Sequence, residues 1–142
     1  MNKVVSILLV EDDTLDVLDI RRTLDKMNIL HRMHVARNGE EALVFLGKCD
    51  SPQQSRPPDL ILLDLNLPGK SGLEILSDLK RSPAFCTIPV VMFTTSATES
   101  DRTHALERGA QAYITKPSSF DFLVNAVRTA CSLGKSSASA TC

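Results

Sequence analysis

The chain has 142 residues, of which 43% are hydrophobic, and its 16 basic and 17 acidic side chains give a formal net charge of −1. This length suits one domain and leaves no room for a second. The balanced charge, without a block of Lys or Arg, argues against nucleic acid as a direct partner. The N-terminal apolar run of about seven residues is too short for a signal peptide or a membrane span, so we expect a cytoplasmic protein with no membrane partner.

Two strand–helix pairs are predicted in the first part of the chain. The continuous apolar run at 6–10 is typical of a central parallel strand, whereas the alternating segment at 31–36 is typical of an edge strand. Apolar residues at spacings of three and four predict a helix after each strand. The first stripe consists of Val17, Ile20, Leu24 and Met27, and the second of Ala42, Leu43 and Leu46.

A Pro- and Ser-rich loop at 49–58 precedes the next two strands. The runs at 60–63 and 90–93 are continuously apolar and are predicted to be central strands. Between them, Ser71 and Glu74 have the spacing of a capping box, in which each side chain satisfies a free backbone N–H near the other. A third helix is predicted to begin there.

The last elements are less apolar. Helix four is predicted between Thr98 and Gly109, whose missing Cβ suits a left-handed helix stop. Its low apolar content predicts a helix that lies shallowly on the sheet and detaches easily. A short mixed strand at 112–115 should form the second edge. The fifth helix is indicated by the stripe Phe120, Leu123, Val124, Val127 and Cys131.

Five strands that are each followed by a helix imply right-handed crossovers and a doubly wound parallel sheet covered on both faces. The predicted fold class is α/β. We expect one domain over residues 1–132, followed by a flexible small-residue tail over 133–142.

Polar side chains follow the ends of four of the predicted strands. Glu11 and Asp12 follow the first strand and Asp64 the third, while Thr94 and Lys116 follow the fourth and fifth. Each of them alone is explained by a turn or a solvated surface, but the strand ends of an open parallel sheet share one crevice. Carboxylates that meet there favour protonation or a divalent cation such as Mg²⁺. An ammonium and a hydroxyl beside them would bind phosphoryl oxygens.

Four motifs resemble the receiver domains of two-component response regulators. They are Leu-Leu-Val-Glu-Asp-Asp at 8–13, Leu-Leu-Asp-Leu-Asn-Leu-Pro at 62–68 with Gly72, Pro-Val-Val-Met-Phe-Thr-Thr at 89–95, and Gly-Ala-Gln-Ala-Tyr-Ile-Thr-Lys-Pro at 109–117. The resemblance covers about residues 5–132 and implies a flavodoxin-like, CheY-like fold with strand order 2-1-3-4-5 and five helices. The loop at 49–58, the Glu-Asp-Asp start and the Thr-Thr pair are most similar to those of stand-alone receivers that are paired with bacterial phytochrome kinases.

The resemblance implies a role for each matching residue. Asp64 is the expected phosphoacceptor, which takes a phosphoryl group from a sensor histidine kinase, for which a bacteriophytochrome is the candidate. Glu11 and Asp12 are expected to hold Mg²⁺ together with Asp64 and the backbone carbonyl of Asn66. Lys116 matches the lysine that contacts the phosphoryl group.

Two further positions match the switch of the family. Thr94 corresponds to the switch hydroxyl and Tyr113 to the aromatic residue that turns inward when the threonine moves. Phosphorylation would then change the surface of helix four, strand five and helix five and so control partner binding. Receivers often pair through this surface, so a homodimer is also expected. Thr95 stands where many receivers carry Ala or Gly, which implies narrower access to the phosphoryl pocket.

Two alternatives to this function remain. A degenerate receiver would act as an interaction module without phosphorylation, although every expected site residue is present. A phosphatase that uses Asp64 would need a second acid to protonate a leaving group, and Asn66 cannot do so. We therefore expect a phosphoacceptor rather than an enzyme.

Overall fold

Five parallel strands with helices on both faces make up this computed structural model, which describes residues 4–49, 56–116, 125 and 127–129. The elements follow in the order β1 (Val5–Val10), α1 (Thr14–Lys26), β2 (His31–Ala36), α2 (Gly39–Cys49), β3 (Leu60–Leu63), α3 (Gly72–Arg81), β4 (Val90–Thr94), α4 (Glu99–Glu107) and β5 (Ala112–Thr115). The sheet order is β2-β1-β3-β4-β5, so the predicted flavodoxin-like α/β class is confirmed.

The strands lie close to their predicted bounds. β1 begins one residue earlier because the backbone N–H of Val5 donates to the carbonyl of Leu30 over 2.9 Å. β4 extends by one residue because Thr94 pairs with Thr115 of β5. The two mixed segments occupy the two edges of the sheet, as predicted.

The alternating direction of the side chains along each central strand divides the core into two clusters. Leu8 and Val10 of β1 pack with α2 and α3 on one face of the sheet. Ile7 and Leu9 point to the other face and pack with α1. Successive side chains of a strand point to opposite faces, so a strand covered on both sides must be apolar at nearly every position.

Local signals set where the helices begin. The side chain of Asp13 accepts hydrogen bonds from the backbone N–H groups of Leu15 and Asp16 and so caps α1. Ser71 forms the predicted capping box at the start of α3, and Thr98 caps α4.

The predicted apolar stripe of α1 was wrong at its last position. Met27 is exposed because α1 ends at Lys26, one residue before it.

Helix α4 is attached to the sheet by little apolar surface. Ala105 is its one buried residue, and Gly109, which follows the helix, has φ +104° in the left-handed region.

Residues 125 and 127–129 are helical, and Val127 is buried in the cluster on the α1 face. The rest of the predicted fifth helix, the predicted tail at 133–142 and residues 50–55 of the predicted loop lie outside the described residues. None of the helices in the described part of the chain combines the length and apolar character that crossing a membrane requires.

Candidate functional site

The carboxyl ends of β1 and β3 bring three acidic side chains together. The backbone N–H of Asp64 donates to the carbonyl of Val10 over 3.1 Å, so Asp64 lies beside the residues that follow β1. Glu11, Asp12 and Asp64 each offer a carboxylate oxygen within 4.8 Å of the other two. Glu11 and Asp64 are buried, whereas Asp12 is exposed. We call these three residues the acidic cluster.

Glu11 is the most deeply buried member of the acidic cluster, with 1% of its surface exposed. Its backbone N–H donates to the carbonyl of Ala36 over 2.9 Å, and its carboxylate accepts from the backbone N–H of Asp13 over 3.2 Å. Burial raises the pKa of Glu11 to about 7; the hydrogen bond from Lys116 opposes this rise and the charge of Asp64 adds to it. Lys116, the cation beside Glu11, favours the ionised form of Glu11 and so acts against the effect of burial.

Lys116 supplies a positive charge from the end of β5. Its ammonium donates to the carboxylate of Glu11 and, over 2.8 Å, to Oδ2 of Asp16, and it lies 3.7 Å from Oδ2 of Asp64. Burial alone would lower the pKa of Lys116, but the hydrogen bonds to Asp16 and Glu11 and the nearby carboxylate charges outweigh it, so the pKa is raised. Lys116 is thus a charged group inside a negatively charged pocket.

The acidic cluster has the donor chemistry of a site for a hard divalent cation. Mg²⁺ takes oxygen ligands at about 2.1 Å, so opposite ligands stand about 4.2 Å apart. The carboxylate oxygens of the cluster all lie within 4.8 Å of one another, a separation compatible with binding one such ion. Asn66 lies two residues after Asp64, and its backbone N–H donates to Oδ1 of Asp64 over 3.3 Å. Its carbonyl stays a predicted ligand.

A second set of contacts joins the ends of β4 and β5. Thr94 is fully buried, and its Oγ1 accepts from the backbone N–H of Ser96 over 3.4 Å. Tyr113 is buried and its hydroxyl donates to the carbonyl of Ser96 over 2.9 Å, while the hydroxyl of Ser96 donates to Asp101 of α4. The segment after Thr94 is therefore tied both to β5 and to α4.

The structure brings most of the predicted site residues together. Glu11, Asp12, Asp64 and Lys116 share one pocket, and Thr94 is linked to Lys116 by a backbone hydrogen bond of 2.6 Å. Tyr113 contacts the loop after Thr94 rather than the acidic cluster.

Sequence reasoning missed Asp16 and Ser96. Asp16 lies in the first turn of α1, three residues after the capping residue Asp13, and no sequence pattern marked its contact with Lys116, which is 100 residues away. For Ser96 no sequence signal marked the contact, because its partner Tyr113 is 17 residues away.

Comparison with known sequences identifies a family match over nearly the whole chain. The sequence model of the response regulator receiver domain family matches residues 7–128. Response regulator Rcp1 of Synechocystis sp. is 41% identical over 110 residues, which are 78% of this chain and 75% of Rcp1.

Solved structures of similar proteins share the fold. The Mn²⁺-bound form of response regulator Rcp1 superposes with a TM-score of 0.73 at 38% identity, covering 88% of this chain and 90% of Rcp1. The phosphorylated cyanobacterial phytochrome response regulator RcpA superposes with a TM-score of 0.76 at 35% identity, covering 96% of this chain and 98% of RcpA.

Proposed function

This chain belongs to the response regulator receiver domain family, and from that membership we propose that it accepts a phosphoryl group from a sensor histidine kinase on Asp64. The observation that carries the proposal is the ammonium of Lys116, 3.7 Å from Oδ2 of Asp64 and beside the acidic cluster. A carboxylate nucleophile, a cation that binds phosphoryl oxygens and a set of metal ligands then act on one substrate.

In the proposed transfer, a carboxylate oxygen of Asp64 attacks the phosphorus atom of a phosphohistidine. The new O–P bond forms as the P–N bond breaks. The histidine ring, protonated on its other nitrogen, leaves as neutral imidazole with the electron pair of the broken bond. The product is an aspartyl phosphate on this chain.

The neighbouring residues stabilise the charge that this transfer adds. Lys116 reaches a phosphoryl oxygen by a short movement from its place beside Asp64, and a charge-assisted hydrogen bond holds that oxygen. Glu11, Asp12, Asp64 and the backbone carbonyl of Asn66 would hold Mg²⁺. When bound, this ion neutralises charge on the phosphoryl oxygens and on the attacking carboxylate.

The signal would leave the site through the loop after Thr94. A phosphoryl oxygen offers the hydroxyl of Thr94 a stronger acceptor than any backbone group, so that hydroxyl turns toward it. The loop contains Ser96, which binds both Tyr113 and Asp101, so its movement changes the position of α4 relative to β5. Since α4 buries only Ala105, it moves at low cost.

The partners in this proposal follow from the same reasoning. RcpA is a phytochrome response regulator and is 35% identical to this chain, which supports a phytochrome-type sensor kinase as the phosphodonor. A homodimer through α4, β5 and the predicted fifth helix is a further part of the proposal. Sedimentation velocity with and without phosphorylation tests the dimer, and an unchanged monomer in both samples removes it.

Phosphorylation with acetyl phosphate and Mg²⁺ tests the proposed function directly. We expect intact-protein mass spectrometry to show the addition of one phosphoryl group to the wild-type protein. In Asp64→Asn this addition should be lost, because an amide does not form the acyl phosphate. Asp19→Asn is the matched control, because Asp19 is an exposed acid on the outer side of α1.

The outcomes separate the candidate functions. Equal labelling of the wild type and Asp64→Asn contradicts the assignment of Asp64. A folded wild-type protein that takes no phosphoryl group from acetyl phosphate or from phytochrome-type kinases indicates the degenerate receiver. Repeated turnover of phosphomonoesters indicates a phosphatase.

A further inference from the structure

Asp16 is a fourth carboxylate at the pocket, and the roles proposed above do not use it. Its Oδ2 accepts a hydrogen bond of 2.8 Å from the ammonium of Lys116, a residue 100 positions away in the chain. Its side chain is 29% exposed, whereas that of Glu11, the other hydrogen-bond partner of Lys116, is 1% exposed. Lys116 thus lies between a deep carboxylate and one at the rim.

The position of Asp16 is fixed by the same loop that carries the acidic cluster. Oδ1 of Asp13 accepts from the backbone N–H groups of Leu15 and Asp16 at the start of α1. The backbone N–H of Asp13 in turn donates to Oε2 of Glu11 over 3.2 Å. These short-range hydrogen bonds place the backbone of Asp16 relative to Glu11, and the hydrogen bond with Lys116 orients its side chain.

Under the proposed function, two cations compete for the carboxylate of Glu11. Its carboxylate binds the ammonium of Lys116 in this structure, and it is also a proposed ligand of the divalent cation. An ammonium and a dication on one carboxylate repel each other, so each weakens the binding of the other. Asp16 lies outside the acidic cluster and is able to bind Lys116 without taking part in this competition.

We propose that Asp16 is a positioning residue that holds the ammonium of Lys116 at the rim of the pocket and so leaves Glu11 free to bind the divalent cation. This inference rests on the proposed function, because it assumes that the acidic cluster binds Mg²⁺. Its consequence is that Asp16 controls the affinity for Mg²⁺ through Lys116, although it is not itself a ligand.

The substitution Asp16→Asn removes the charge that competes with Glu11 for Lys116. The ammonium then binds Glu11 alone, and the affinity of the protein for Mg²⁺, measured by isothermal titration calorimetry, should fall by about fivefold. Asp19→Asn removes the same charge from the outer side of the same helix and should change the affinity by less than about twofold. Asp16→Glu keeps the charge and should recover most of the affinity.

A double-mutant cycle with Lys116→Met separates positioning from a direct effect of the Asp16 charge. In the Lys116→Met background, Asp16→Asn should change the affinity for Mg²⁺ by less than about twofold, because there is no ammonium left to position. Thermal melts without Mg²⁺ identify any variant that has lost its fold, and for such a variant Asp16→Ser replaces Asp16→Asn. Amide chemical shifts of Glu11 and Asp64 during the titration report binding at the cluster itself.

The Mg²⁺ titrations of these variants decide whether Asp16 has the proposed positioning role. An equal loss of affinity in both backgrounds overturns the positioning role, and so does an effect of Asp16→Asn no larger than that of Asp19→Asn. Absence of Mg²⁺ binding to the folded wild-type protein overturns the proposed function together with this inference. Normal Mg²⁺ binding that is insensitive to Asp16 overturns the inference alone.

Discussion

At the scale of single residues, Gly72 determines how closely α3 approaches Asp64. A Cβ on Gly72 would lie 2.2 Å from the backbone oxygen of Asp64 and 2.7 Å from Cα of Leu65. Both atoms belong to the backbone and cannot turn away. The first turn of α3 therefore packs directly on the residue that is proposed to carry the phosphoryl group.

The substitution Gly72→Ala should destabilise the protein by about 1–3 kcal/mol, as overpacking of a well-filled interior does. It should also slow labelling by acetyl phosphate, because the backbone of Asp64 must shift. Urea unfolding and the labelling assay measure the two effects.

Gly47→Ala is the matched control for this prediction. Gly47 lies within α2, and nothing is found within 4 Å of a Cβ built on it. This substitution should stabilise the protein by about 0.5–1 kcal/mol, because alanine loses less conformational entropy than glycine in a helix. Similar effects of the two substitutions would contradict the role given to the contact between Gly72 and Asp64.

At the scale of elements, Asp78 joins α3 to the loop that follows β3. Its carboxylate accepts from Lys70 in this loop and, over 2.8 Å, from Nη2 of Arg81 on its own helix. The hydrogen bond from Lys70 is the main reason that the pKa of Asp78 is lowered, and Arg81 acts in the same direction. The ionised form of Asp78 is thus bound more strongly in the folded than in the unfolded chain.

A lowered pKa makes this contribution depend on pH with a defined sign. The stabilisation is complete well above 3.8, the ordinary pKa of the group, and is lost as the pH falls through the lower pKa of the folded state. Asp78→Asn should cost about 0.5–1 kcal/mol near neutral pH, a range typical of partly exposed pairs. The difference from the wild type should begin to shrink below about pH 5.

Urea unfolding of the wild type and Asp78→Asn between neutral pH and pH 3 measures this dependence. Asp19→Asn serves as the control, since Asp19 is exposed on another helix and is not part of the ion pairs of Asp78. A destabilisation by Asp78→Asn that stays constant down to pH 3 would show that the ion pairs are not its cause.

At the scale of the whole molecule, the proposed metal site joins segments that are far apart in the chain. Glu11 and Asp12 follow β1, Asp64 follows β3, and Lys116 follows β5. The unfolded chain holds these residues at no fixed distance from one another. Cation binding therefore favours the folded state as a whole, and stability becomes linked to the concentration of Mg²⁺.

Free Mg²⁺ at about ten times its dissociation constant should stabilise the wild-type protein by about 1.4 kcal/mol. For a chain of this size, that corresponds to a rise of about 3–6 °C in Tm. Differential scanning calorimetry with Mg²⁺ and then with excess chelator measures the rise and its reversal. Asp64→Asn should lose most of it, and an equal rise in that variant would place the bound ion elsewhere.

Much of the architecture was predictable because it depends on local sequence patterns, namely the spacing of apolar residues and the residues that cap helices. The bounds of β2, β3 and β5 were predicted to the residue, since period-two alternation and continuous apolar runs reflect burial directly. The capping box at Ser71 was also predicted, because a cap satisfies backbone groups within a few residues. Met27 was placed wrongly, since periodicity continues past the point where a helix ends.

The sequence alone also indicated which polar residues would meet, but not how they would pair. The end of each strand predicted that Glu11, Asp64 and Lys116 share a crevice, because parallel strands align their carboxyl ends. Only the tertiary structure decided that Lys116 binds Glu11 and Asp16 directly, at a longer distance from Asp64. Hydrogen-bond partners are selected by differences of about 1 Å among side chains from separate elements. Such differences arise when the elements pack, and no periodicity or local spacing records them.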